Sequence, residues 1–440
     1  MIRPLFASDD LLEARVRADA ESARSFHGRR ILGVSFVTLF ISVGFGFYSF
    51  GPFFKAIASE LGGSRLGVGG ALTTFMVATA LMGPWLGRAV DGGSIRKIMT
   101  IGVLCLASGF FLISLVQNLL QFYVVLAVLI GLGAAMIGDL TASALVANWF
   151  VRRRGMALGI ATMGISLSGV VMAPIATVLI ESVGWRGTFR IYGMLALIVV
   201  FPVVRLLVVT RPEDVGLLPD NDPPPEPEPT AVEAAPVPSA PALQPSAPPT
   251  GTGVLRDRNF WVLAIVIALT FCPNSGTLTH IIPHVTDLGF SGGRAALVLS
   301  VIAFLGVLGK VLFGWVSDRI DKRLALFFAV VGQAIGVLVF RQTESYALIL
   351  VGGAIFGLSM GGMVPLWGAA IGALFGRDRF GRVMGLMRPV MLPIQTIGVP
   401  LAGWLYDVQG NYQTAFGVFF GFYCASMLLM LALRIEDGGA

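Results

Sequence analysis

Hydrophobic residues in this chain come in long, nearly unbroken runs rather than in the short alternations of soluble helices and strands. Twelve runs approach the roughly 20 residues an α-helix needs to cross a bilayer core. They fall at about 31–54, 67–87, 98–116, 122–149, 156–180, 188–209, 260–283, 294–316, 324–341, 346–374, 382–406 and 412–434. The turns between them alternate: one set is basic, and the other is nearly uncharged, as at Gln117-Asn118. The pattern predicts an all-α membrane protein of twelve spans.

One segment interrupts this rhythm. Pro223-Pro224-Pro225-Glu226-Pro227-Glu228-Pro229 opens a Pro/Ala-rich stretch that runs to Pro248-Pro249. Such a composition buries no core and predicts an extended, disordered linker over 210–257. It separates a six-span bundle at 31–209 from a second at 258–434, with short polar segments at 1–30 and 435–440.

The halves repeat each other. Gly87-Arg88-Ala89-Val90-Asp91, followed by Arg96-Lys97, returns about half the chain later as Gly314-Trp315-Val316-Ser317-Asp318, followed by Arg319 and Lys322-Arg323. Phe150 with Gly155-Met156-Ala157-Leu158-Gly159 returns at the same interval as Phe375 with Gly381-Arg382-Val383-Met384-Gly385. A duplicated membrane unit predicts two halves related by pseudo-two-fold symmetry, the architecture of a transporter.

Composition agrees: 55% of residues are hydrophobic, only 13% are charged, and the mean hydropathy is +0.82. A soluble chain could not cover so much apolar surface with so few charges. The net charge of +6 follows from topology. Of the loop and terminal Lys and Arg, only Lys55, Arg65, Arg186, Arg190, Arg294 and Arg341 fall on the less basic side. The positive-inside rule then predicts a multi-pass protein of the inner (plasma) membrane with both termini cytoplasmic and no nucleic-acid partner. The first thirty residues are polar and show no signal-peptide pattern. Cys105, Cys272 and Cys424 are scattered through apolar segments, which suggests neither a disulfide framework nor a metal site. No phosphate-cradling Gly-x-x-x-x-Gly-Lys is present and no nucleophile-base pair can be assembled, so we expect no cofactor and no enzymatic activity, and an ion or substrate gradient as the drive.

These marks resemble the major facilitator superfamily. The Gly-x-x-x-Asp motif after span 2, its copy after span 8, the twelve spans and the long central loop carry the resemblance. Asn148-Trp149-Phe150 before Arg152-Arg153-Arg154-Gly155, the Gly184-Trp185-Arg186 turn, and Arg211-Pro212-Glu213-Asp214-Val215-Gly216 look like its monocarboxylate-porter and oxalate/formate-exchanger branch. The resemblance implies a secondary transporter of a small organic anion, most simply a monocarboxylate, moved with a proton or against a counter-anion by a monomeric carrier. The rival readings are an exporter of amphipathic or aromatic compounds, resting on the Met- and Phe-rich spans, and a transporter-like nutrient sensor signalling through its polar segments.

The residues supply candidate roles. Asp91 and Asp318 sit where a span ends among basic residues, so each can accept bonds from a neighbouring helix N-terminus or pair with arginine across the interface. With Arg96, Lys97 and Arg319 they form a candidate gate, and the alternative is a static anchor in the headgroups. Lys310 in span 8 and Arg388 in span 11 are the cations inside spans, and an intramembrane charge marks a function by default. Around one cavity they would attract an anion; the alternative is snorkelling to the headgroups. The resemblance implies the former for Lys310, which matches the position where monocarboxylate porters carry a substrate-pairing arginine, while their aspartate one turn earlier falls on Gly306. Asp139, midway through span 4, is either a proton carrier or a structural acid satisfied by Thr141, Ser143 or an arginine of another helix. His280 and His284 share one face of span 7, as an outer gate, substrate contacts or interfacial histidines. Asn274, Tyr48, Trp367 and Gln395 are further candidate lining residues, with packing as the alternative.

Overall fold

The computed structural model of the chain describes residues 27–45, 50–61, 65–221 and 251–433. Every regular element among them is helical. Tyr48, the segment 1–26, the body of the Pro-rich linker at 222–250 and the tail from 434 lie outside the described residues. Span 1 comprises Gly28–Val43 and Phe50–Leu61, span 2 is Arg65–Gly92, and span 3 is Ile95–Ile113. Span 4 covers Leu119–Trp149, and spans 5 and 6 run through Arg154–Leu195 into Phe201–Leu207. The second half holds Arg258–Asp287, Gly292–Ser317, Lys322–Gln342, Tyr346–Phe375, Phe380–Gln409 and Gln413–Met430 as spans 7 to 12.

Among the described residues nine helices are both long and apolar enough to cross a membrane. Span 1 falls short because its first helix has only 16 residues. Spans 2 and 11 are long enough, with 28 and 30 residues, but are rich in glycine and polar side chains. These two helices pack on each other across the halves, so their reduced hydropathy reflects a protein-facing rather than a lipid-facing surface. Side chains that do face outward are large and apolar, among them Leu120, Ile198, Leu206 and Leu428.

The halves are built alike. Span 1 packs on span 5 as span 7 packs on span 11, and span 2 packs on span 4 as span 8 packs on span 10. Across the interface, span 2 meets span 11 and span 5 meets span 8. Two breaks shape the first half. At Gly138 the backbone leaves helical geometry (φ −82, ψ −159), so span 4 restarts at Asp139. At Gly184 the chain turns between spans 5 and 6 with φ 72, a conformation open to glycine. Trp185 beside it donates through Nε1 to Glu60 Oε2 at 2.5 Å, and Arg186 pairs with the same carboxylate.

Part of the segment expected as linker has regular structure. Residues 208–221 are ordered, with one-turn helices at Pro212–Val215 and Pro219–Asn221, and Gly251–Leu255 is helical at the far end. Arg211 and Asp214 close a reciprocal cap on the first turn, and Gly216 ends it with φ 72.

Candidate functional site

The two halves meet on glycine near the face that carries the basic turns. A Cβ on Gly87 would stand 2.2 Å from the Gly381 carbonyl oxygen, and one on Gly385 would stand 2.1 Å from that of Gly83. On the other flank, Gly155 and Gly314 each place a would-be Cβ 2.4 Å from the other's carbonyl oxygen. Only hydrogen fits at these crossings, which is why the duplicated marks carry glycine.

Next to each crossing a carboxylate bridges the halves. Asp91 accepts from the N–H groups of Gly381 and Arg382 at 2.7 and 2.8 Å, at the start of span 11. Asp318 accepts from Gly155 and Met156 at 2.7 and 2.8 Å, at the start of span 5. Each acid satisfies two of the four N–H groups that open a helix, where the macrodipole favours negative charge. Burial pushes the Asp318 carboxyl above the ordinary range; the Met156 and Gly155 N–H groups and Lys322 oppose the rise, and Asp220 adds to it. The basic residues expected at the gate turn elsewhere. Arg96 Nε bonds the Val208 carbonyl, Arg319 bonds the Trp315 carbonyl at 3.2 Å and covers its ring at 3.9 Å, and Lys97 is exposed.

The ordered start of the linker crosses the same face. Trp149 Nε1 donates to Val209 O at 2.9 Å, Asn148 donates to Thr210 O at 3.2 Å, and Asp220 accepts from Val151 and Arg152 N–H at 2.9 and 2.7 Å. These bonds fix the segment to the first half. Glu213 then pairs with Arg377 of the second half at 2.6 Å, and Arg211 approaches Asp378 at 3.8 Å.

Deeper in the bundle, Asp139 and Arg388 form an ion pair at 2.7 Å between spans 4 and 11. The break at Gly138 places Asp139 at the start of a new helix, and Ser143 donates to its other oxygen at 3.1 Å. Arg388 Nε, also buried, has no hydrogen-bond partner among the described residues. The pair lines a cavity of about 160 Å³ together with Ser42, Phe75, Thr79 and Leu86. Lys310 lies outside that lining. It is 6% exposed, donates to Ser166 Oγ of span 5 at 2.8 Å, and is within electrostatic reach of Asp139.

The remaining candidates sit within the second half. His280 engages the Tyr412 hydroxyl at 3.2 Å and Val399 O at 3.1 Å, and His284 bonds Phe340 O at 3.1 Å against the Phe416 ring. Asn274 accepts from Tyr423 at 2.8 Å, while its buried Nδ2 has no partner among the described residues. Trp367 Nε1 points at Met387 sulfur at 3.3 Å, and the Gln395 carbonyl accepts from Ser275 at 3.3 Å. No group of His, Cys, Asp or Glu among the described residues is arranged to hold a metal. Sequence reasoning missed Ser166, Glu213, Arg377 and Asp220; the Arg211-Pro212-Glu213-Asp214 motif was the signal available for the linker contacts.

Residues 36–340 and 281–439 match the family model of the Major Facilitator Superfamily. The chain is 27% identical over 357 residues to monocarboxylate transporter 12 of Rattus norvegicus, covering 77% of this chain and 71% of that protein. It is 28% identical over 364 residues to monocarboxylate transporter 13 of Bos taurus, with coverages of 81% and 78%. Among solved structures, the human organic anion transporter MFSD10 (TETRAN) superposes with a TM-score of 0.67 at 16% identity, over 92% of this chain and 99% of that one. The fucose:proton symporter FucP of E. coli gives 0.65 at 13% identity, over 91% and 98%.

Proposed function

The chain belongs to the Major Facilitator Superfamily, and we propose that it carries a small organic anion, a monocarboxylate foremost, by alternating access. The observation that carries this reading is a charge imbalance between the halves. Arg388 pairs with Asp139, Lys310 bonds Ser166 and lies within electrostatic reach of the same carboxylate, and among the described residues Arg388 keeps a buried N–H without a partner. One uncompensated positive charge in a low-dielectric site is a strong attractor for one anion. The cavity of about 160 Å³ beside Arg388 suits a short carboxylate, and Lys310, outside its lining, adds positive charge from the neighbouring span 8. The names of the relatives, transporters of monocarboxylates and of organic anions, agree with that chemistry.

In this reading the basic face is cytoplasmic, and Asp91 and Asp318 are the gate that holds it shut. The halves rock apart there when both carboxylates release their helix N-termini. Asp139 is the candidate proton carrier, because taking up a proton would free Arg388 for the substrate. Exchange of one anion for another needs no such step, and the same site supports it. A thermal-shift screen of the purified protein against short mono- and dicarboxylates tests the reading, since a ligand of the folded state raises its melting temperature. Stabilisation by monocarboxylates is expected; stabilisation by cations or neutral amphiphiles alone contradicts it.

A further inference from the structure

A carboxylate presents two oxygens in one plane, and arginine meets both with a fixed fork, whereas lysine offers a single nitrogen. Lys310 is therefore half of what a carboxylate site needs. Its partner supplies something more than an anchor. Ser166 Oγ accepts from Lys310 Nζ at 2.8 Å, and a hydroxyl that accepts still has its own proton to donate. Serine and threonine in helices commonly direct that proton to a carbonyl one turn back. Thr162 does so to Leu158 O at 2.7 Å, and Ser168 does so to Ile165 O at 2.8 Å, on the same helix. Ser166 makes no such bond: its one hydrogen-bond partner among the described residues is Lys310. Ser166 is also partly exposed, whereas the ammonium is buried.

We propose that Ser166 and Lys310 form a composite fork, an O–H and an N–H side by side, that takes the two oxygens of a substrate carboxylate. Ser166 is thereby a specificity-determining residue, contributed by the first half to a cation of the second. Its serine-lysine bond spans the interface, as the Asp139–Arg388 pair does on the other flank. Substrate held by this fork touches both halves at once, which is what couples occupancy to their relative movement. The inference rests on the reading of the site as an anion site.

Calorimetric titration of the purified full chain tests it, with the tightest-binding of acetate, pyruvate, lactate and oxalate as the probe. Ser166→Ala should weaken binding about tenfold, the size of one hydrogen bond to a charged group. Ser166→Thr, which keeps the hydroxyl, should stay within about twofold of the wild type. Adding Lys310→Arg to Ser166→Ala should restore binding, because the guanidinium brings its own second donor; a merely structural serine would not be rescued this way. If Ser166→Ala fails to fold, Ser166→Thr against Ser166→Val makes the same comparison with the shape held constant. Unchanged affinity on loss of the hydroxyl, or no rescue by arginine, overturns the fork and leaves the anion site standing. Absence of binding of all four probes to the wild-type protein overturns the anion reading itself, and the fork with it.

Discussion

Asp91 and Asp318 make one contact twice, in opposite directions across the molecule. Each sits at the end of the second span of its own half and accepts two N–H groups from the start of the fifth span of the other half, at 2.7 and 2.8 Å in both cases. The duplicated sequence mark is therefore a reciprocal clasp. Replacing either acid by alanine leaves two N–H groups at a closed interface without acceptors, a penalty of roughly 1–3 kcal/mol for each. Asp91→Ala and Asp318→Ala should each shift the population toward an open basic face with little change in substrate affinity. Spin-label distances across that face report it, and an unchanged distance distribution in both variants would reduce the acids to anchors.

The pH response of the clasp has a defined sign. Burial holds the Asp318 carboxyl above the ordinary range in the closed form, while opening returns it to solvent and toward the ordinary value. The closed form therefore binds the proton more tightly, so lowering the pH from neutral through the raised value should favour closure, and raising it should favour opening. Asp318→Asn keeps one acceptor oxygen and does not titrate, so it should flatten part of this dependence. The same distance measurement between neutral and mildly acidic pH checks it; an identical slope in wild type and Asp318→Asn would contradict the assignment.

The glycine crossings make a steric prediction. A Cβ on Gly314 would lie 2.4 Å from the Gly155 carbonyl oxygen, which is backbone and cannot swing aside. Gly314→Ala should push spans 5 and 8 apart and open the basic face, whereas Gly33→Ala, with nothing within 4 Å of the added carbon, should not. Cysteine cross-linking efficiency between these spans separates the two outcomes.

The linker contact should act more weakly. Glu213 and Arg377 are each about one third exposed, so their pair is worth about 0.2–1 kcal/mol. Glu213→Ala should raise the open fraction by at most about fivefold, and the charge swap Glu213→Arg with Arg377→Glu should restore it. Transport rates in proteoliposomes read this directly, and an undiminished effect in the swapped pair would place the role of Glu213 elsewhere.

The fold and the clasp were legible because they are written locally. Apolar length gives spans, and the repeats of Gly87 with Asp91 and of Gly155 with Gly159 give the halves. The partners of the candidate site were not. Asp139 meets Arg388 at a separation of 249 residues, and only the crossing of spans 4 and 11 decides that this arginine, rather than a neighbouring hydroxyl alone, satisfies the acid. Lys310 was expected to share one cavity with Arg388, yet its side chain turns to Ser166, a choice set by the packing of span 5 on span 8. Arg96 and Arg319 carry the charge a gate could use, but each spends it on a carbonyl of its own half. The expected linker hid the regular residues up to 221, whose anchors Asn148 and Trp149 end span 4 and whose partner Arg377 lies in the turn before span 11.

In the proposed reading, Arg388 and Lys310 supply the positive charge that holds a carboxylate between the halves. Uptake of the labelled monocarboxylate that best stabilises the wild type, measured in proteoliposomes, reads that dependence. Lys310→Ala and Arg388→Ala should each lower uptake at least tenfold, the loss of a charge-assisted hydrogen bond of about 1.5–3 kcal/mol, while both variants insert and fold as the wild type does. Wild-type uptake by either variant, at matched protein in the bilayer, would contradict the account.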